Sequence, residues 1–183
     1  MQITEIAPNH YGTIYADPPW KYGNLSTRNS TEKVGYDGDL SITEICNLRV
    51  SGVPVAEIGT ADSHLHLWTT NAFLFDARSV MEAWGYEYRS CFVWVKPQLG
   101  MGNYWRVSHE FLLFGKRGDA KFRSHSEKSW RELSRRGHSA KPEEVAELVE
   151  RVSPGPYLEL FARRDRPRWH VWGNQVEKGL FDE

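Results

Sequence analysis

Cysteine is scarce in this chain: Cys46 and Cys91 are the only two, and they stand 45 positions apart. That spacing excludes a disulfide framework and a paired-cysteine zinc site, and it suits a reducing compartment. Long apolar runs are absent as well. No stretch approaches the roughly 20 residues that cross a bilayer as a helix. Residues 1–8 lack the basic start and apolar run of a signal peptide. The expectation is a soluble, cytoplasmic protein that does not engage a membrane. A strong charge of either sign is missing too, since 23 Lys and Arg face 24 Asp and Glu for a net −1. Any surface for a polyanion must therefore be local. The sequence has no internal repeat and no low-complexity tract.

What is present suffices for one domain over residues 1–183, because 183 residues at 40% hydrophobic can bury a full core. Eight tryptophans and an aromatic content of 13% allow two uses: filling that core, or presenting flat faces to nucleobases.

Strand-like and helix-like runs alternate, which predicts an α/β layered fold with a parallel, doubly wound sheet. Thr13-Ile14-Tyr15-Ala16 reads as a strand running straight into Asp17-Pro18-Pro19-Trp20. Residues 21–39, rich in Gly, Ser, Thr and Asn, read as a long active-site loop. Residues 64–68 form the next strand. Asn71 then caps a helix with an apolar face of Phe73, Ala77, Val80, Met81 and Trp84, stopped by Gly85. Strands follow over residues 86–95 and 110–114, separated by a glycine-rich turn at 100–103. Pro142 opens a helix in its first turn, where a missing N–H costs nothing. Glu143 and Glu144 suit the positive end of that helix, and Val145, Leu148, Val149 and Val152 form its buried stripe. Strands over 157–161 and 169–172 complete the fold.

Residues 116–141 read as a basic surface excursion, with nine Lys or Arg against three acids. Such a run is either a solvated face or a track for phosphates. In the second case Arg131, Arg135 and Arg136 are its cations, and Trp130 and Phe122 its stacking groups.

Asp17-Pro18-Pro19-Trp20 carries the chemistry. It follows a strand directly, where open α/β sheets place their ligand crevices. A planar exocyclic amine is a poor nucleophile because its lone pair is delocalised into the ring. Acceptors aimed at its two N–H bonds favour the more tetrahedral, more nucleophilic geometry. Asp17 offers a carboxylate and Pro18 a carbonyl with no N–H of its own. The prolines fix extended backbone around both, and Trp20 offers an aromatic face. A strand-ending turn over a buried Trp would have the same sequence, so the tetrapeptide alone does not name the substrate.

The chain resembles the MT-A70 family of S-adenosylmethionine-dependent adenine-N6 methyltransferases from about residue 15 to 175. The resemblance begins with the tetrapeptide and its fourth-place Trp. It continues in order through Tyr36, Leu40-Ser41-Ile42-Thr43-Glu44-Ile45, Leu67-Trp68-Thr69-Thr70, Trp84-Gly85-Tyr86, Val93-Trp94-Val95-Lys96, His109-Glu110 and Arg117-Gly118. His138-Ser139-Ala140-Lys141-Pro142, Glu159-Leu160-Phe161-Ala162-Arg163 and Gly173-Asn174-Gln175 complete it. It implies a Rossmann-like class I methyltransferase fold, a three-layer αβα sandwich in permuted order, with the catalytic motif ahead of much of the cofactor site. That order accounts for the lack of a Gly-x-Gly loop before Asp17.

By the same resemblance Asp17, Lys141, Arg163, Asn174 and Gln175 contact S-adenosylmethionine. A lysine and an arginine suit its carboxylate, and two amides suit its ribose hydroxyls. Tyr36 maps onto the loop that closes over the target base, and Glu110 onto a position beside it. Sixteen residues precede Asp17 here, so the expectation is that the family's upstream strand with an acid for the cofactor adenine is shortened or absent. The interval between Arg163 and Gly173 is also short, so no cofactor contact is expected from residues 164–172.

Small members of the family are more typical of bacteria and phages, which implies DNA rather than RNA as the polymer. A duplexed adenine must leave the stack to be reached. Non-catalytic subunits of the family have lost the acid or the aromatic residue of the motif, and this sequence keeps all four. His64 and His66 share a strand face without a third ligand at suitable spacing, so no metal is expected. No residue pattern specifies an oligomer, and a homodimer is compatible with the sequence.

Overall fold

The computed structural model describes residues 2–22, 39–100, 102, 104–134 and 140–173. In chain order these form β1 (Tyr11–Ala16), α1 (Ile42–Cys46), a small hairpin of β2 (Arg49–Val50) and β3 (Val53–Pro54), α2 (Val55–Ile58) and β4 (Gly59–Thr69). Next come α3 (Asp76–Ala83), β5 (Glu87–Val95), β6 (His109–Arg117), β7 (Trp130–Glu132), α4 (Glu143–Val152), β8 (Tyr157–Leu160) and β9 (Trp169–Trp172).

Seven strands make one sheet in the order β7-β5-β6-β4-β1-β8-β9. Six run in one direction, and β6 alone is antiparallel to both neighbours. The expected all-parallel sheet is corrected at that one strand. The connection 96–108 turns β5 straight back into β6 with no helix among its described residues, and a direct return of this kind makes an antiparallel pair. The fold is otherwise the Rossmann-like αβα sandwich that the sequence implies.

The period-2 alternation of the strands builds two cores. Ile14, Ala16, Leu65, Leu67, Leu113, Leu158 and Leu160 face one side, where they pack on α1, α2 and α3 through Ile45, Val55, Ile58, Ala77, Val80, Met81 and Trp84. Tyr15, Trp68, Trp94, Leu112, Trp169 and Val171 face the other, against Val145, Ala146 and Val149 of α4. β1 lies between them and is buried at all six positions. Five of the tryptophans are core residues whose indole N–H is paired. Trp20 donates to the Trp68 carbonyl, Trp68 to the Tyr15 hydroxyl, Trp84 to the Ile45 carbonyl, Trp94 to the Leu133 carbonyl and Trp169 to Glu150. For these five, core filling is the use that the fold makes of them.

Local details shift the predicted boundaries. A 3-10 turn, Asn71–Phe73, precedes α3, so Asn71 is not the helix cap and the helix starts at Asp76. Pro142 is the N-cap of α4, one place earlier than expected, with the extended backbone of a residue outside the helix. Residues 116–141 are not wholly a surface excursion. Their middle supplies β7, which adds to the sheet edge through Val93↔Trp130 and Val95↔Glu132. Arg117 is structural as well. Its guanidinium donates to the carbonyls of Gly59, Trp84 and Gly85, closing the end of α3.

Under α4, His64 and His66 converge on one hydroxyl. Ser153 Oγ lies 2.9 Å from His64 Nδ1 and 2.8 Å from His66 Nε2. A hydroxyl can donate to one ring and accept from the other, so the trio is satisfied with both imidazoles neutral. Burial, together with neighbouring His64, pushes His66 down to about 3, and burial lowers His64 too. The unfolded chain therefore takes up protons below the ordinary histidine pKa, near 6.5, that the folded chain refuses. Stability is fully present above that pH and falls as pH drops towards 3, by up to about 1.4 kcal/mol per pH unit for His66, with His64 adding to the fall in the same direction. Replacing His66→Gln keeps an N–H for Ser153 but removes a titrating group. Urea midpoints measured between pH 7.5 and 5 should decline less steeply in the variant than in the parent. Equal slopes would show that His66 is not a source of acid sensitivity.

Candidate active site

All of the parallel strands end at the same edge of the sheet, and the reversed β6 begins there. This places residues remote in sequence side by side: Asp17 after β1, Thr70 after β4, Lys96 after β5, Glu110 in the first turn of β6, Lys141 just before α4 and Arg163 after β8. Alternation sets the face. Asp17 follows Tyr15 by two, Lys96 follows Trp94 by two and Glu110 precedes Leu112 by two, so all three share the α4 side of the sheet.

The result is a file of alternating charge. Lys141 Nζ donates to both oxygens of Asp17 at 2.7 Å and lies 3.2 Å from Glu110 Oε2. Lys96 donates to Glu110 Oε1 and sits 4.5 Å above the Trp94 ring. Lys141 lies over the Trp68 ring at 5.3 Å. All four charged side chains are largely covered, at 21%, 14%, 16% and 9% exposure from Asp17 through Lys141 and Glu110 to Lys96. Burial alone would raise the pKa of Glu110, but the ammonium groups of Lys141 and Lys96 outweigh it and hold the carboxyl below its usual range. Burial likewise works against the charge on Lys141, while Asp17 and Glu110 raise its pKa above that of an ordinary lysine. Lys141 is thus a fixed cation whose three N–H bonds are all directed at carboxylates. It reaches a ligand only by giving up one of them.

The motif backbone is held at both ends. Leu40 N donates to Pro19 O at 2.8 Å and Lys21 N to Leu40 O at 3.1 Å, which pins the neck of the 21–39 loop. Pro18 O accepts from Trp20 N at 2.9 Å. A carbonyl has two lone pairs, so one acceptor position remains.

Trp20 stands differently from its expected place. Its ring is 5% exposed and stacked on Phe73 with centroids 5.3 Å apart, so it is packed into the core instead of presenting an open face. The aromatic group beside the motif that keeps exposure is Tyr22, edge-on to Phe73 and bonded through its hydroxyl to Thr70 Oγ1 at 2.8 Å. Sequence reading did not single out Tyr22 or Lys96 for the site. Lys96 had two available signals, its place directly after an aromatic and β-branched strand and its position in the resembling segment Val93-Trp94-Val95-Lys96.

Of the other expected site residues, Tyr36, Arg135, Arg136, Asn174 and Gln175 lie outside the described residues. Arg131 is tied to Glu127 by a 2.8 Å ion pair, and Glu127 also takes Arg151 at 3.1 Å. Phe122 packs against Phe114, whereas Trp130 is half exposed. Arg163 lies three positions beyond the end of β8, next to the close approach of Ala162 and Gly173. A Cβ on Gly173 would stand 2.2 Å from the Ala162 carbonyl oxygen, so glycine alone fits there. Asp17, Lys141 and Arg163 give this edge both signs of charge. That donor set fits the amino-acid end of S-adenosylmethionine, which bears a carboxylate and an ammonium group.

Residues 11–175 match the MT-A70 family profile. A type II methyltransferase of Mycoplasma sp, M.MunI, is 31% identical over 94% of this chain and 80% of its own length. The putative N(6)-adenosine-methyltransferase MT-A70-like of Medicago truncatula is 27% identical over 91% of this chain. The human N(6)-adenosine-methyltransferase catalytic subunit METTL3 is 29% identical over 91%. The chain spans only 26% and 28% of those two longer proteins.

Removing Glu110 tests the charge file. The Glu110→Gln substitution leaves Lys141 with the Asp17 carboxylate and takes from Lys96 the carboxylate it donates to, and breaking a buried pair in this way costs roughly 3 kcal/mol or more. Urea unfolding should show that loss, and the double variant with Lys96→Met should recover part of it. A double variant no more stable than Glu110→Gln would mean that Lys96 and Glu110 act independently.

Proposed function

The chain belongs to the MT-A70 family of methyltransferases, and on that premise we propose that it transfers a methyl group from S-adenosylmethionine to N6 of adenine in DNA. The observation that carries the reading is the Asp17 carboxylate, fixed by Lys141 on both oxygens beside the Pro18 carbonyl at the sheet's catalytic edge. Bound there, the cofactor supplies an activated methyl. The protein's task is to aim and polarise the amine.

Asp17 accepts from one N–H of the adenine amine and Pro18 O from the other, which localises the lone pair for attack. As positive charge develops on N6, the carboxylate faces it at close range in a site of low water content. Lys141 keeps that carboxylate in one orientation, and Glu110 with Lys96 keeps Lys141 in place. Arg163 is the proposed partner of the cofactor carboxylate, and Asn174 with Gln175 that of its ribose. Tyr36 is proposed to close over the target base.

DNA is preferred because the relative matched over most of its own length, at 31% identity and 80% of that protein, is a type II methyltransferase. A cytoplasmic enzyme acting on unstacked or single-stranded adenine follows from this reading.

Incubation with labelled S-adenosylmethionine and matched DNA or RNA oligonucleotides, followed by nucleoside analysis, tests product and polymer together. N6-methyldeoxyadenosine is expected. Label found in adenosine alone would move the substrate to RNA, and label in cytidine would overturn the reading. The Asp17→Ala variant should fold and lose methyl transfer by roughly a hundred- to a thousandfold, the scale seen when one preorganised polar group of an active site is removed. Near-parental turnover would dismiss Asp17 as the acceptor.

Charge neutralisation bears on the basic stretch. Because Arg131 is already paired with Glu127, Arg131→Ala alone should change oligonucleotide affinity little. Replacing Arg131, Arg135 and Arg136 together should weaken binding and flatten its salt dependence. An unchanged slope in the triple variant would remove that stretch from the interface.

A further inference from the structure

Large apolar side chains are unevenly spread over the surface. Seven stand exposed among the described residues, and six of them sit at the catalytic end of the sheet: Tyr22, Leu99, Tyr104, Trp105, Phe75 and Trp130. Tyr88, at the far end of β5, is the exception. The densest group is on the connection 97–107. There Tyr104 is 95% exposed and Trp105 89%, next to Leu99 at 70%. Two adjacent aromatic rings in open water are costly unless they meet a partner.

That connection springs from the charge file itself. Lys96 N donates to Ser108 O at 2.7 Å across its neck, so Lys96 stands at one root and Glu110 just beyond the other. Its tip is built to hold a shape. Arg106 Nε donates to the Gly100 carbonyl at 2.6 Å, and a Cβ on Gly102 would stand 2.3 Å from the Trp105 carbonyl oxygen. Glycine at 102 therefore lets the backbone fold tightly under the aromatic pair. Cations accompany the rings, with Arg106 next to Trp105 and Lys128 5.9 Å over the Trp130 ring. Flat aromatic faces interspersed with positive charge match a nucleic-acid strand whose bases are unstacked.

We infer that Tyr104 and Trp105 form a stacking platform for unpaired bases of the substrate strand beside the target adenine. This rests on the nucleic-acid reading given above. The platform is separate from the acceptors at Asp17: it grips the strand on either side of the target and takes no part in the methyl transfer. A base in a single strand or an opened duplex keeps its π-face available to any ring, so the platform favours unpaired substrate without reading sequence.

The test uses the whole chain and a short fluorescein-labelled single-stranded DNA of mixed sequence, titrated by anisotropy. Tyr104→Ala and Trp105→Ala should each weaken binding about tenfold, the scale of one lost base–aromatic stack, and the double variant about a hundredfold. Tyr104→Phe, which keeps the ring, should bind like the parent. Stacking releases no counterions, so the slope of log Kd against log salt should stay unchanged in all of them. KM for the oligonucleotide should rise while kcat holds. Parental affinity in the double variant overturns the platform. If that variant also loses self-association in sedimentation, the ring pair belongs to a contact with a second copy. A parent that binds no oligonucleotide at all would overturn the nucleic-acid reading and the platform with it, whereas a parent that binds as tightly as the double variant overturns the platform alone.

Discussion

The contact between Lys141 and Asp17 is the constraint on which the site's geometry depends. An ammonium group as covered as this one is tolerable only with carboxylates around it, because burial otherwise strips its hydration without return. Asp17 and Glu110 meet that demand from two strands, while Lys141 arrives from the start of α4, 124 positions along the chain from Asp17. The three cannot meet unless β1, β6 and α4 are all in place. Folding of the second half of the chain therefore decides whether the motif in the first half is poised.

The reversal of β6 makes this possible. In an all-parallel sheet the start of β6 would lie at the opposite edge, and Glu110 would be a strand length away from Asp17. The direct return from β5 brings Lys96 and Glu110 to the same edge as the ends of β1, β4 and β8. It also throws the 97–107 connection out beyond that edge, so the exposed aromatic pair belongs to the same end of the sheet as Asp17 and Glu110.

Aromatic residues divide along the same line. Trp20, Trp68, Trp84, Trp94 and Trp169 are buried, with each indole N–H bonded inside the protein, and they set the spacing between sheet and helices. Trp68 and Trp94 additionally lie beneath the two lysines of the charge file, giving the cations a polarisable floor. Trp105 and Trp130 remain at the surface. Trp20, the motif residue that looks from sequence like a face for a base, belongs to the first group, and its packing on Phe73 anchors the turn that carries Asp17 and Pro18.

Much of this protein is legible one residue at a time. Alternation exposed the strands, spacing of three and four exposed the apolar stripes of α3 and α4, and Asp17-Pro18-Pro19-Trp20 at a strand end pointed to the proposed acceptors. These are local signals: each depends on the covalent neighbours of a residue and on which face it shows. Strand direction is not of that kind, since a strand reads the same whichever way its neighbour runs, and so the antiparallel β6 was not foreseen. Nor was β7, three residues long and polar at two of them, whose place is given by pairing with β5 alone. The partners of Lys141 and Glu110, the ion pair of Arg131 with Glu127 and the burial of Trp20 are likewise products of three-dimensional neighbours. The sequence by itself determined which groups are available at the sheet's edge; the tertiary structure decided which of them face each other, because electrostatics and burial act through space and not along the chain.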